Sequence, residues 1–102
     1  MSDSISPKLY LVHVGFYDEV TSFGGVYEGH TNIFLVSDSA QNARTKAKSL
    51  EIFKSKRMHI DGIQEIKAVD GYQISVIKDE ASSDATEINP YIFRDLGPVK
   101  ND

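Results

Sequence analysis

The 102-residue chain contains no cysteine. That removes disulfides, thiolate metal sites and cysteine nucleophiles together, and it fits a reducing compartment such as the cytoplasm. Long apolar runs are also missing. None approaches the ~18–20 residues that span a bilayer, so no membrane association is expected. The opening stretch MSDSISPKLY lacks the basic-then-apolar order of a secretory signal. Positive charge is in deficit, with 11 Lys and Arg against 15 Asp and Glu and a net charge of −4, so the surface as a whole is a poor polyanion binder. What is present suits one small folded domain. The chain is 40% hydrophobic and 25% charged, which separates it from disordered chains and leaves room for a single core.

Residues 1–7 (MSDSISP) are small and polar and read as a flexible lead-in. The first strong signal is 8–17, KLYLVHVGFY, whose β-branched and aromatic content predicts a strand. Alternation puts Tyr10, Val12, Val14 and Phe16 on one face and Leu9, Leu11, His13, Gly15 and Tyr17 on the other. Both faces carry apolar residues, yet one helix covers only one of them. The second face therefore calls for the C-terminal segment or a second subunit. Residues 18–29 (DEVTSFGGVYEG) read as turn-rich, with Gly24, Gly25 and Gly29 turning the chain toward a second strand over about 30–37. Asp38 or Ser39 is suited to cap a helix whose apolar stripe is Ala40, Ala43, Ala47 and Leu50.

Residues 51–61 (EIFKSKRMHID) read as a connector without a defined element. Beyond them, 62–69 and 72–78 flank Asp70-Gly71, the strongest short-range hairpin signal, because a type I′ turn needs positive φ at both positions. The expected fold is α+β, an antiparallel sheet of about four strands with one main helix in the order β-β-α-β-β. It forms a single domain over 8–78. Residues 79–102 follow as a polar linker and an arm, whose Tyr91, Ile92, Phe93 and Leu96 are too apolar to remain in water. Pro90 and Pro98 bracket that arm and discourage a long helix or central strand.

The residues KLYLVHVGFYDE, then GVYEGHTNIFLVSDSAQNARTKAKS, then FKSKRMHIDGIQEIKAVDGYQISV carry a resemblance over about 8–78. Together they resemble a bacterial family catalogued as a domain of unknown function, the one numbered 1543. The most recognisable parts are Glu28-Gly29-His30 and the 54–62 stretch. Members of that family carry one or two copies of the unit per chain, and this sequence carries one. The resemblance thus implies self-association into a homodimer, and it brings no activity, substrate or catalytic residue.

Chemical motifs are sparse. His30 lies beside Glu28, and His59 lies two residues before Asp61, so these four hold enough nitrogen and oxygen donors for a divalent metal or an enzymatic centre. No tight ligand spacing accompanies them, so no metal or cofactor is assigned. The glycines at 24, 25 and 29 lead into a strand, whereas a phosphate loop leads into a helix N-terminus. Ser22, with Asp18, Glu19 and His13 near it in sequence, lies in no nucleophile motif. Charge is segregated instead. Arg44, Lys46, Lys48, Lys54, Lys56 and Arg57 face only Glu51 within 44–57, while residues 79–102 carry six acidic and two basic side chains.

The leading expectation is a non-enzymatic binding or assembly module, bacterial and cytoplasmic, acting as a homodimer with an unidentified protein partner. Its self-association residues are Leu9, Leu11, His13, Tyr17, Tyr91 and Phe93. The alternatives are nucleic-acid or anionic-ligand binding through 44–57, and a metal or enzymatic site near Glu28, His30, His59 and Asp61. The binding candidates are Arg44, Lys54, Lys56, Arg57, Tyr27, His30 and His59.

Overall fold

The structure is a computed structural model and describes residues 6–20, 25–81 and 85–98, apart from the side chains at 18–20, 25–27 and 93. Two long strands, β1 (Lys8–Val20) and β2 (Gly25–Ser37), form an antiparallel hairpin in unbroken register from Lys8↔Ser37 to Val20↔Gly25. Helix α1 (Ala40–Ser49) follows, then the single turn α2 (Glu51–Ser55). Strand β3 (His59–Glu65) pairs antiparallel with the free side of β1, giving a three-stranded sheet in the order β2-β1-β3. A separate two-stranded ladder, β4 (Ala68–Val69) with β5 (Tyr72–Gln73), and a short helix α3 (Phe93–Leu96) complete the described elements.

The α+β class and the antiparallel sheet agree with the sequence, and the strands divide three and two. The expected alternation of β1 holds. Tyr10, Val12 and Val14 are buried under the helices with Leu35 of β2, Ala43 and Ala47 of α1, Phe53 of α2, and Met58. Alanine on the helix face removes bulk, so α1 lies close to the sheet. Ser39 caps α1, its hydroxyl accepting from the Asn42 backbone N–H at 3.1 Å. Asp38 accepts from Asn42 Nδ2 at 2.6 Å, and that hydrogen bond holds its carboxyl below the usual carboxylate range.

Two stretches before residue 62 differ from the sequence reading. Strand β2 starts at Gly25, and Gly29 lies within it. A Cβ at Gly29 would stand 2.6 Å from the Phe16 ring, so this glycine makes room for an aromatic across the ladder rather than for a turn. Gly24 lies outside the described residues. The 51–61 connector contains α2 and the start of β3. Leu50 turns extended, Phe53 enters the core, and Arg57 takes a left-handed φ of 51° just before Met58. A one-turn helix with a single core residue is too short to show periodicity.

The Asp70-Gly71 turn has the expected positive φ at both residues, 53° and 85°. Its ladder stands apart from the main sheet, because the chain leaves β1 after the Ile66 N–H bonds the Leu9 carbonyl.

Candidate functional site

The face of the sheet turned away from the helices is laid out by the β1–β2 register. Along it run the pairs Leu9↔Val36, Leu11↔Phe34, His13↔Asn32, Gly15↔His30 and Tyr17↔Glu28. One end is therefore apolar and the other is rich in imidazole and carboxylate. Strand β3 borders the second end, with His59 opposite Gly15 and Gly62 opposite His13.

A bulge completes the arrangement. On β1 the neighbours His13 and Val14 face Gly62 and Ile60, so Asp61 is the extra residue between two ladder pairs. Ile60 and Ile63, three apart, can then both pack on the core cluster while Asp61 joins the histidines. In a regular strand, residues three apart point to opposite faces.

At this end His30 sits between two carboxylates. Its Nδ1 lies 3.2 Å from Asp61 Oδ2 and its Nε2 lies 3.5 Å from Glu28 Oε2. His59 Nε2 lies 3.2 Å from Asp61 Oδ1 and 4.0 Å from Glu28 Oε2. The His13 ring stacks parallel on His30, centroids 5.2 Å apart, and its Nδ1 donates to Asn32 Oδ1 at 2.9 Å. Tyr17 leans over His59 at 5.9 Å. Gly15 forms the floor, where a Cβ would meet His59 Nε2 at 2.6 Å. The four side chains in ion-pair geometry are 35–45% exposed, so each pair is screened by water and contributes little stability by itself.

The four donors singled out in sequence, Glu28, His30, His59 and Asp61, are thus brought together. His13, Gly15 and Tyr17 join them. The alternation of β1 already put those three on one face, but their neighbours depend on register across three strands. The basic candidates stand elsewhere. Arg44 is on α1, Lys54 on α2, and Lys56 and Arg57 on the turn after it, all exposed. Lys56 Nζ lies 5.7 Å from the centroid of the Phe16 ring. Arg44 and Lys48 border a shallow groove at the β3 edge with Phe53, Met58, His59 and Ile60. Tyr27 is opposite Asp18 in the ladder, and its side chain, like that of Phe93, lies outside the described residues. Leu9 and Leu11 are half-buried at the apolar end, and Tyr91 is exposed on the arm.

Among the described residues, no helix is long and apolar enough to cross a membrane. No curated protein and no solved structure matches the chain. A family model, Domain of Unknown Function (DUF1543), matches residues 25–76, from the first residue of β2 to just past β5. That match spans just over half of the chain and includes Glu28, His30, His59 and Asp61, and the chain belongs to the DUF1543 family.

Proposed function

We propose that the protein is a non-enzymatic assembly module of the bacterial cytoplasm that pairs with a second copy of itself through the outer face of the sheet. One observation carries this reading: the apolar end of that face and the apolar residues of the C-terminal arm are both uncovered in the same chain. Phe34 is 50% and Val36 40% exposed beside the half-buried Leu9 and Leu11. On the arm, Ile88, Tyr91, Ile92 and Leu96 are all exposed. Ala85 and Thr86 border the groove at the apolar end beside Leu9, Phe34 and Val36, and the apolar residues that follow them stay exposed. The radius of gyration is 17.6 Å, whereas a compact chain of this length has about 13 Å.

Contiguous apolar surface of this kind marks an interaction site in a water-soluble fold. Two exposed apolar surfaces on one chain can cover each other reciprocally in a two-fold pair. Charge supports the same partner. The arm is acidic and the 44–57 segment is basic, and opposite fields favour approach and fix orientation between copies. Lys46 already reaches the edge of the apolar end, its Nζ donating to the Val36 carbonyl at 3.0 Å.

The test is the solution mass of the intact chain and of Phe34→Asp. A dimer that Phe34→Asp converts to monomer is the expected result. A dimer untouched by Phe34→Asp would move the interface off this face, and a monomer at micromolar concentration would overturn the reading.

A further inference from the structure

We propose that the histidine end of the outer face is a binding site for one divalent transition-metal ion, with ligands drawn from Glu28, His30, His59 and Asp61 and with His13 at its rim. The site is separate from the apolar end and does not depend on pairing. Its ligands come from β2 and β3, with His13 on β1 between them, so their backbone positions are set by ladder hydrogen bonds rather than by a flexible loop.

The spacing of the donors suits a metal ion. Nitrogen and oxygen ligands about 2.0–2.2 Å from a tetrahedral ion lie roughly 3.3–3.6 Å from one another. His30 Nδ1 lies 3.2 Å from Asp61 Oδ2 and His59 Nε2 lies 3.2 Å from Asp61 Oδ1, so two imidazoles stand at ligand spacing from one carboxylate. Ligand atoms of His13, His30 and Asp61 also fall within 4.8 Å of one another.

The Glu28 and Asp61 carboxylates stand on one patch with the imidazoles between them, an arrangement that a divalent cation complements. The groups behind the ligands suit the same ion. Each ring nitrogen of His30 faces a different carboxylate, so one can ligate while the other donates to the remaining carboxylate, the usual support of a metal-bound histidine. His13 donates through Nδ1 to Asn32, which in the neutral ring leaves the Nε2 lone pair available.

Gly15 leaves space for the His59 ring and Asp61 to lie across β1, and a side chain there would displace both.

Imidazole with carboxylate, and no thiolate, selects zinc, cobalt, nickel or copper ions over magnesium and calcium, which take oxygen alone. The partial exposure of all four ligands leaves the ion open to water on the outer side.

Zinc chloride titrated into the metal-stripped full chain, followed by calorimetry and by thermal unfolding, tests the site. The expected result is one zinc per chain, a Tm that rises with zinc, and no response to magnesium. His30→Ala and His59→Ala should each weaken binding by ~10-fold or more, while Phe34→Asp at the far end leaves it unchanged. Cobalt provides a second readout independent of stability, as visible absorption that appears in the intact chain and is lost in either variant. No saturable zinc heat, or zinc binding untouched by both histidine variants, would overturn the proposal.

Discussion

Gly15 and His59 share one space: a Cβ on the first would stand 2.6 Å from Nε2 of the second, across the β1–β3 ladder. Asp61 Oδ2 would be 3.3 Å from the same atom. Gly15→Ala therefore acts on the donor cluster rather than on the core, since it displaces the ends of two exposed side chains. Zinc affinity should fall by ~10-fold while the far-UV spectrum stays that of the intact chain. Unchanged affinity in Gly15→Ala would show that His59 and Asp61 are not held where the ladder puts them.

Gly29 meets a different neighbour. Its missing Cβ accommodates the Phe16 ring at 2.6 Å, whereas Gly62 has nothing within 4 Å of the corresponding position. Gly29→Ala should cost about 1–3 kcal/mol through overpacking. Gly62→Ala, on the same sheet, should change stability far less. Urea unfolding of the two variants side by side separates them, and equal costs would contradict the packing described.

Phe53 is the one buried residue that α2 supplies to the core. Phe53→Ala should destabilise by about 3–5 kcal/mol, a large share of what a small domain has. Tyr72→Ala, at an exposed hairpin position, should stay within about 0.5 kcal/mol. The midpoints of urea denaturation give both numbers. A mild Phe53→Ala would mean that α2 is not anchored on the sheet.

Asp38 links stability to pH with a definite sign. Its carboxyl is lowered chiefly by the hydrogen bond from Asn42. The stabilisation is therefore present above the ordinary carboxylate value and is lost as pH falls through the lowered folded value. Asp38→Asn should narrow the Tm difference from the parent chain as the solution is acidified below about pH 4. A difference that is constant with pH would show that the hydrogen bond from Asn42 to Asp38 contributes nothing to stability.

Much of this architecture is legible in the residues. The alternation of β1, the alanine stripe of α1 and the Asp70-Gly71 turn each state a local geometry. Gly29 misleads, because a glycine that admits a neighbouring ring looks in sequence like one that turns the chain. His59 hides in a charged stretch whose only element before it is one helical turn. The donor cluster shows the limit most directly. Glu28, His30, His59 and Asp61 are recognisable as donors, but their meeting depends on a register shared by three strands and a bulge at Asp61, which no spacing along the chain encodes.

The most direct measurement is sedimentation of the intact chain across micromolar concentrations. The expected result is a species of twice the 11.4 kDa chain mass, returned to one chain by Phe34→Asp. A single 11.4 kDa species at every concentration would contradict the assignment of the outer sheet face as a surface for assembly.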